Sequence, residues 1–417
     1  MSNSIALNKI ELDGQKVIYN FSIPSEIREH INPVYVDSQN NGTLFVELPN
    51  DVDAKEIPEG VLTIPFVGTM IGVAMLYRTP IKVPDVDKEY FETVKKLDTV
   101  FRKMYPKGNL SLVLEASRVS TAKNNRGGVR TSVFFTGGVD ATSALVETVN
   151  KAPLLINIAG GDIALSDQTA HERLEGYFSD LKKQIKGLDY CFVKSNCREF
   201  FREYTFDKMC KKFIDRELWW GYWASFAHIV VMTASIAPVI YARGITQHYI
   251  GSSHSSNDVA FDGNNEELIN AIGYAGCKFI SADADLDRND KVKKIVEYSN
   301  TSGVHFKLQV CWHKENGLNC CHCEKCYRTI MNVLSAHGDP NNFGLTYNTD
   351  KMAEIKRFLE TTPVKVSYWK TTQSVFQKEH NYWDKTELAW FVNFKFNQPK
   401  TYFYKAIGVV KRKMRKK

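Results

Sequence analysis

Residues 131–142, Thr-Ser-Val-Phe-Phe-Thr-Gly-Gly-Val-Asp-Ala-Thr, constrain the fold more than any other segment. An apolar β-type run stops at Gly137-Gly138, and Asp140 and Thr142 then open a helical stretch. Paired glycines let backbone N–H groups approach an anion without Cβ obstruction, and a helix starting near Val139 aims the positive end of its dipole at the same point. The segment therefore reads as a phosphate cradle. It is not a Walker loop, since no Gly-Lys-Ser/Thr follows, and it lacks the G-x-G-x-x-G of a dinucleotide-binding turn. An ordinary strand-turn-helix corner is the competing reading.

From this segment onward strands and helices alternate. Strands are expected at 131–136, 153–159, 189–195, 247–252 and 277–281, and helices at about 139–150, 169–186, 206–243, 265–275 and 288–299. Such alternation predicts an α/β fold, a doubly wound parallel sheet of about five strands in a domain over 130–338. Ligands of these sheets bind beyond the carboxyl ends of the strands, which nominates Gly160-Gly161-Asp162 after the second strand and Gly251-Ser252-Ser253-His254 after the fourth. A tight turn is the alternative at each. Asp283, Asp285 and Asp287 lack the Gly and distal Glu of a calcium loop, so they are expected to form a solvated turn and a helix cap.

The first 122 residues read as a smaller α+β domain. Lys9–Leu12 and Val17–Phe21 flank Asp13-Gly14 as a hairpin, 43–48 is a further strand, 60–75 is apolar with Gly punctuation, and 88–104 has helical spacing. Residues 123–130 form a polar linker. After 338 a helical C-terminal extension is expected to 404, with helical spacing at 352–360 and an aromatic stretch from Tyr382-Trp383 to Trp390-Phe391 as its core, packed as a cap on the nucleotide domain.

The chain has 417 residues, with 54 Lys and Arg against 47 Asp and Glu, and seven of the basic side chains lie in the tail 405–417. The remaining body is balanced at 47 of each sign, which argues against the broad basic surface a nucleic acid needs. The tail is either a solvated terminus or a weak contact for an anionic membrane surface. Leu218–Ala242 carries no Asp, Glu, Lys or Arg and is long enough to span a membrane, but burial in an α/β core explains it without placing the two candidate sites on opposite sides of a bilayer. No other stretch reads as a span and no signal peptide opens the chain, so a cytoplasmic location is expected.

Nine cysteines include Cys311, Cys320, Cys323 and Cys326 at metal-ligand spacing. Two Cys-x-x-Cys steps bring three sulfurs to one ion and a preceding Cys closes a four-thiolate shell, so Zn²⁺ is expected there. An odd cysteine count without a secretory signal argues against disulfides. Cys321 and His322 are spare ligands.

The order of parts, Thr136-Gly137-Gly138-Val139-Asp140-Ala141 followed by Cys-x8-Cys-x2-Cys-x2-Cys, resembles the PP-loop ATP pyrophosphatase (adenine-nucleotide alpha-hydrolase-like) superfamily and its 7-cyano-7-deazaguanine synthase branch. That superfamily carries S-G-G-x-D-S, and the branch adds a late four-cysteine zinc knuckle. Here Thr136 keeps the first hydroxyl and Ala141 removes the last, so either Thr142 supplies the missing oxygen or phosphate binding is weaker. Cys321 stands where the branch usually has Gly, and the first hundred and last eighty or so residues have no counterpart in it.

The resemblance implies an ATP-dependent enzyme that adenylates a carboxylate or amide oxygen, releases pyrophosphate and lets a nitrogen nucleophile displace AMP. Thr136, Gly137, Gly138, Val139, Asp140, Thr142, Gly160, Ser252 and Ser253 are the expected ATP contacts. Asp140 is the expected Mg²⁺ ligand, and Arg288 and Lys291 the expected catalytic clamp, with Arg328 a similar candidate. The implied partner is a small molecule or protein with an activatable carboxyl or amide, and a homodimer stays open. The alternatives are a nucleotide-binding regulatory protein, for which Ala141 speaks, and an RNA sulfur-transfer enzyme. The latter wants a redox Cys pair that Cys191, Cys197, Cys210 and Cys277 do not supply.

Overall fold

The computed structural model describes residues 3–122, 128–215, 221–253, 264–311 and 319–405. His254 and most of the basic tail lie outside the described residues. The chain divides into two compact units, residues 1–136 with 147–285, and residues 137–146 with 286–417. This division cuts across the boundaries expected from the sequence.

The first unit holds one mixed sheet. Its strands are β1 (Ile5–Asp13), β2 (Lys16–Ser22), β3 (Asn41–Glu47), β4 (Ile81–Asp87), β5 (Leu114–Ser120), β6 (Thr131–Phe134), β7 (Leu154–Ala159), β8 (Asp189–Ser195), β9 (Gln247–Gly251), β10 (Gly273–Tyr274) and β11 (Cys277–Ala282). They are ordered β10-β11-β9-β6-β7-β8-β3-β2-β1-β4-β5. The protein is α/β, but this sheet corrects the expectation of about five parallel strands with a separate small domain beside them. The five expected strands are present as the parallel block β11-β9-β6-β7-β8. The edge of β8, which would otherwise expose unpaired backbone groups, takes up β3 in antiparallel pairing at Val46↔Ser195 and Glu47↔Lys194. Side chains extend that seam: Asn196 Oδ1 accepts from Phe45 N–H at 2.9 Å and Ser195 Oγ donates to Phe45 O at 2.8 Å.

Strands β4 and β5 have no clear signal in the sequence. β4 reads Ile-Lys-Val-Pro-Asp-Val-Asp, with a proline and two carboxylates that resemble a turn. Both carboxylates are buried because they are satisfied. Asp85 accepts from Arg118 at 2.9 Å and Ser120 at 3.0 Å, and Asp87 accepts from the backbone of Tyr90, Ala122 and Ala275.

In the parallel block the chain steps outward from β6 through β7 to β8, then returns to β9 on the other side of β6. The winding reverses between β6 and β9. The carboxyl ends of these two strands are therefore the place where such sheets hold ligands.

Two helical stretches, Glu59–Tyr77 and Trp223–Arg243, are long and apolar enough to cross a membrane by length and composition, and 89% of the apolar window of each is buried inside the protein. The first overturns the reading that only one stretch has that character. The second is not the single helix expected over 206–243. Helix Glu203–Cys210 is separate, and the run from Trp223 opens with a π-turn before helices His228–Ser235 and Ala237–Arg243, with Pro238 in the first turn of the last. The two apolar stretches touch closely. A Cβ on Gly68 would stand 2.1 Å from the Ala234 Cβ, so that crossing needs glycine. Hydroxyls within them bond back one turn, Thr69 to Pro65 O and Ser235 to Val231 O, which makes polar residues tolerable in an apolar core.

The second unit is helical: the start of Val139–Thr148, then Arg288–Ser302, Glu324–Ser335, Thr349–Thr361 and Val366–Lys378. Asp287 caps Arg288–Ser302 in a reciprocal capping box with Asp290, as its sequence position implies. Glu324–Ser335 is held from two sides. Thr329 and Asn332 bond Arg288 and Asn289 on one neighbour; Glu324 and Asn332 bond Trp369 (3.0 Å) and Thr372 (2.9 Å) on the other. Trp369, Phe376, Trp383 and Phe391 form the aromatic core of the extension, whereas Tyr382 is exposed.

Candidate functional site

After β6 the chain enters the glycine pair. Gly137 has φ +75°, a conformation side chains resist, and its carbonyl accepts from Gln309 N–H at 2.7 Å. Thr142 N–H bonds back to Gly138 O at 2.9 Å, which leaves the amides of Val139, Asp140 and Ala141 without intrahelical acceptors at the positive end of the helix.

Around this turn the second unit gathers three cations and one carboxylate. Lys291 is buried, with Nζ 3.8 Å from Asp140 Oδ1. Arg288 donates to Thr329 Oγ1 at 3.0 Å, while its Nε is buried without an acceptor. Burial lowers the Arg288 pKa to about 10, with Asp140 opposing the shift and Arg328 adding to it. Arg328 is only 9% exposed and makes no hydrogen bond among the described residues. Its pKa too is lowered by burial, against the opposing charges of Glu324, Tyr368 and Asp140. Thr142 Oγ1 is likewise buried without a partner. The expected residues Gly137, Gly138, Val139, Asp140, Thr142, Arg288, Lys291 and Arg328 thus fall in one unit. Buried donors without acceptors are costly unless something accepts from them, and here they surround a helix start that favours an anion.

The other expected ATP contacts lie in the first unit. Thr136 follows β6, Gly160 follows β7, and Ser252 and Ser253 follow β9. Gly160 has a structural reason of its own. At φ +93° it passes so close to β8 that a Cβ would stand 1.8 Å from Ser195 O. Ser252 is buried, with its N–H on Ala282 O at 3.2 Å, and Ser253 receives a hydrogen bond from Asn264.

The sulfurs of Cys311, Cys320, Cys323 and Cys326 all lie within 4.8 Å of one another. Cys311 and Cys323 are 3.8 Å apart and Cys323 and Cys326 3.5 Å, too far for a disulfide at about 2.05 Å and close to the roughly 3.8 Å between sulfurs of tetrahedral zinc with bonds of about 2.3 Å. The cluster could bind a metal such as zinc. Of the spare candidates, Cys321 Sγ accepts from Thr346 N–H at 3.3 Å and also contacts Cys326, and His322 Nδ1 lies 2.9 Å from Glu354 Oε1. Cys321 has φ +53°, a left-handed conformation that glycine adopts most readily. The helix that follows runs Glu324–Ser335.

The four remaining cysteines are buried, and burial pushes their thiols up, Cys197 to about 11 and Cys191 and Cys210 to about 12. Sequence reasoning missed the residues that support the cations, Thr329 and Tyr368, because neither sits in a motif; only the helix packing brings them to Arg288 and Arg328. No family model, no curated protein and no solved structure matches this chain.

Proposed function

We propose that this protein is a PP-loop ATP pyrophosphatase that adenylates a carboxylate or amide oxygen, releasing pyrophosphate, so that a nitrogen nucleophile then displaces AMP. The observation that carries the reading is Arg328: a buried guanidinium without a hydrogen bond, grouped with Arg288, Lys291 and Asp140 at the start of the helix after Gly137-Gly138. Donors placed in advance and aimed at the β and γ phosphates stabilise the charge that grows on pyrophosphate as it leaves, which directs attack to the α phosphorus. Asp140 would hold Mg²⁺, which offsets that charge. Cys311, Cys320, Cys323 and Cys326 would hold Zn²⁺; four thiolates leave no open position, so the metal supplies a structural crosslink.

Ala141 favours a second reading, a nucleotide-binding regulator with weakened catalysis. The RNA sulfur-transfer alternative is disfavoured by Cys191, Cys197, Cys210 and Cys277, whose buried thiols are poorly ionised.

Incubation with ATP, Mg²⁺ and a small-molecule extract, followed by mass spectrometry, tests the proposal. AMP and pyrophosphate are expected, and Asp140→Asn should abolish turnover while the protein stays folded. ADP and phosphate as first products would overturn it. Nucleotide binding without turnover, unchanged by Ala141→Ser, would favour the regulator.

A further inference from the structure

Among the described residues Arg328 makes no hydrogen bond, yet it is not loose. Its guanidinium carbon lies 4.5 Å from the ring centroid of Tyr368, on helix Val366–Lys378 of the C-terminal extension. A guanidinium held against an aromatic ring uses its flat face there and keeps its in-plane N–H groups for other acceptors.

The contact is part of a register between two helices. Glu324, Arg328 and Asn332 recur every four residues along one stripe of their helix, and they meet Trp369, Tyr368 and Thr372 respectively. Two hydrogen bonds, Trp369 Nε1 to Glu324 at 3.0 Å and Asn332 to Thr372 at 2.9 Å, bracket the arginine–tyrosine pair. The packing load falls on Trp369, which is fully buried, while its neighbour Tyr368 is only half-buried. A half-buried ring adds little to the core. Lys365 Nζ also lies 4.4 Å from the same centroid and donates to the Tyr368 hydroxyl at 3.3 Å.

We propose that Tyr368 is a positioning residue that sets the Arg328 guanidinium for the pyrophosphate group of the nucleotide, so that the C-terminal extension completes the phosphate site. The inference rests on the phosphate-site reading above. Tyr368 touches no phosphate itself; it acts by limiting the rotamers of Arg328, so that less entropy is lost when the ligand binds.

Calorimetric titration of the full chain with magnesium pyrophosphate separates the two ideas. Arg328→Gln should weaken binding at least 30-fold, on the order of one buried charged hydrogen-bond donor lost. Tyr368→Phe should bind within about twofold of the parent. Tyr368→Leu and Tyr368→Gln, which remove the ring by different means, should each weaken binding roughly 5- to 30-fold while the protein stays folded. In the Arg328→Gln background the same changes should add nothing, because the ring then has no guanidinium to hold.

If Arg328→Gln loses binding while both ring-less variants keep it, the role of Tyr368 is wrong and the phosphate site stands. Equal losses with and without Arg328 also overturn it, since the ring would then act by another route. Pyrophosphate binding that is indifferent to Arg328→Gln sinks the phosphate-site reading, and this inference with it.

Discussion

A guanidinium that is buried and donates no hydrogen bond is unfavourable in the folded protein before any ligand arrives. At Arg328 the unmade donors cost about 1–3 kcal/mol, of which the Tyr368 contact returns about 0.5–2. Replacing it by an apolar side chain of similar length should therefore stabilise the ligand-free protein. Arg328→Met is expected to gain about 1 kcal/mol and raise the melting temperature by roughly 1–2 °C while abolishing pyrophosphate binding. A fall in melting temperature would mean that Arg328 is structural. Such a trade of stability for function marks residues placed for a ligand. At this scale the sequence was informative about chemistry and silent about support. Gly137, Asp140, Arg288 and Lys291 follow from motif and position, whereas Tyr368 has no spacing that ties it to Arg328.

At the scale of elements, two features are expected to respond sharply to single changes. Four sulfurs spaced for one ion should bind it together or lose it together. Cys323→Ser is expected to release the metal, measured by elemental analysis, and to melt earlier, since metal binding and folding of the loop are one process. A full equivalent of zinc retained by that variant would refute the four-thiolate shell. The crossing of Gly68 and Ala234 is equally strict. Gly68→Leu should cost about 3 kcal/mol or more, because rigid backbone and a Cβ stand where the new side chain must go. Pairing Gly68→Ala with Ala234→Gly should recover most of the loss of Gly68→Ala alone, read by chemical denaturation. Recovery in this pair but not in Gly68→Ala with a distant glycine change would establish the contact. Element positions were largely legible. The five parallel strands, helix 88–104 and the helix expected over 288–299, which runs on to Ser302, follow from apolar period and caps. β4 and β5 did not, because the two buried aspartates of β4 are satisfied by Arg118 and Ser120 of β5 and by backbone as distant as Ala275.

Across the whole molecule, charge and connectivity matter most. Removing residues 405–417 takes the formal charge from +7 to balance, because all seven tail charges are basic. That deletion is expected to leave pyrophosphate binding and melting temperature unchanged and to lower any affinity for anionic lipid vesicles. Loss of pyrophosphate binding would show that the tail serves the site. Composition and period by themselves determined the α/β class, the glycine turn at a strand end and a cysteine set able to close on one ion, since each depends on residues close in sequence. Only the tertiary structure decided that the N-terminal strands join the parallel block through β3 and β8, that the apolar run from Trp223 breaks into shorter helices, and that Tyr368 meets Arg328. Those outcomes depend on edges, helix crossings and buried charges whose partners lie far apart in the chain, and no local pattern records which distant residue will satisfy them.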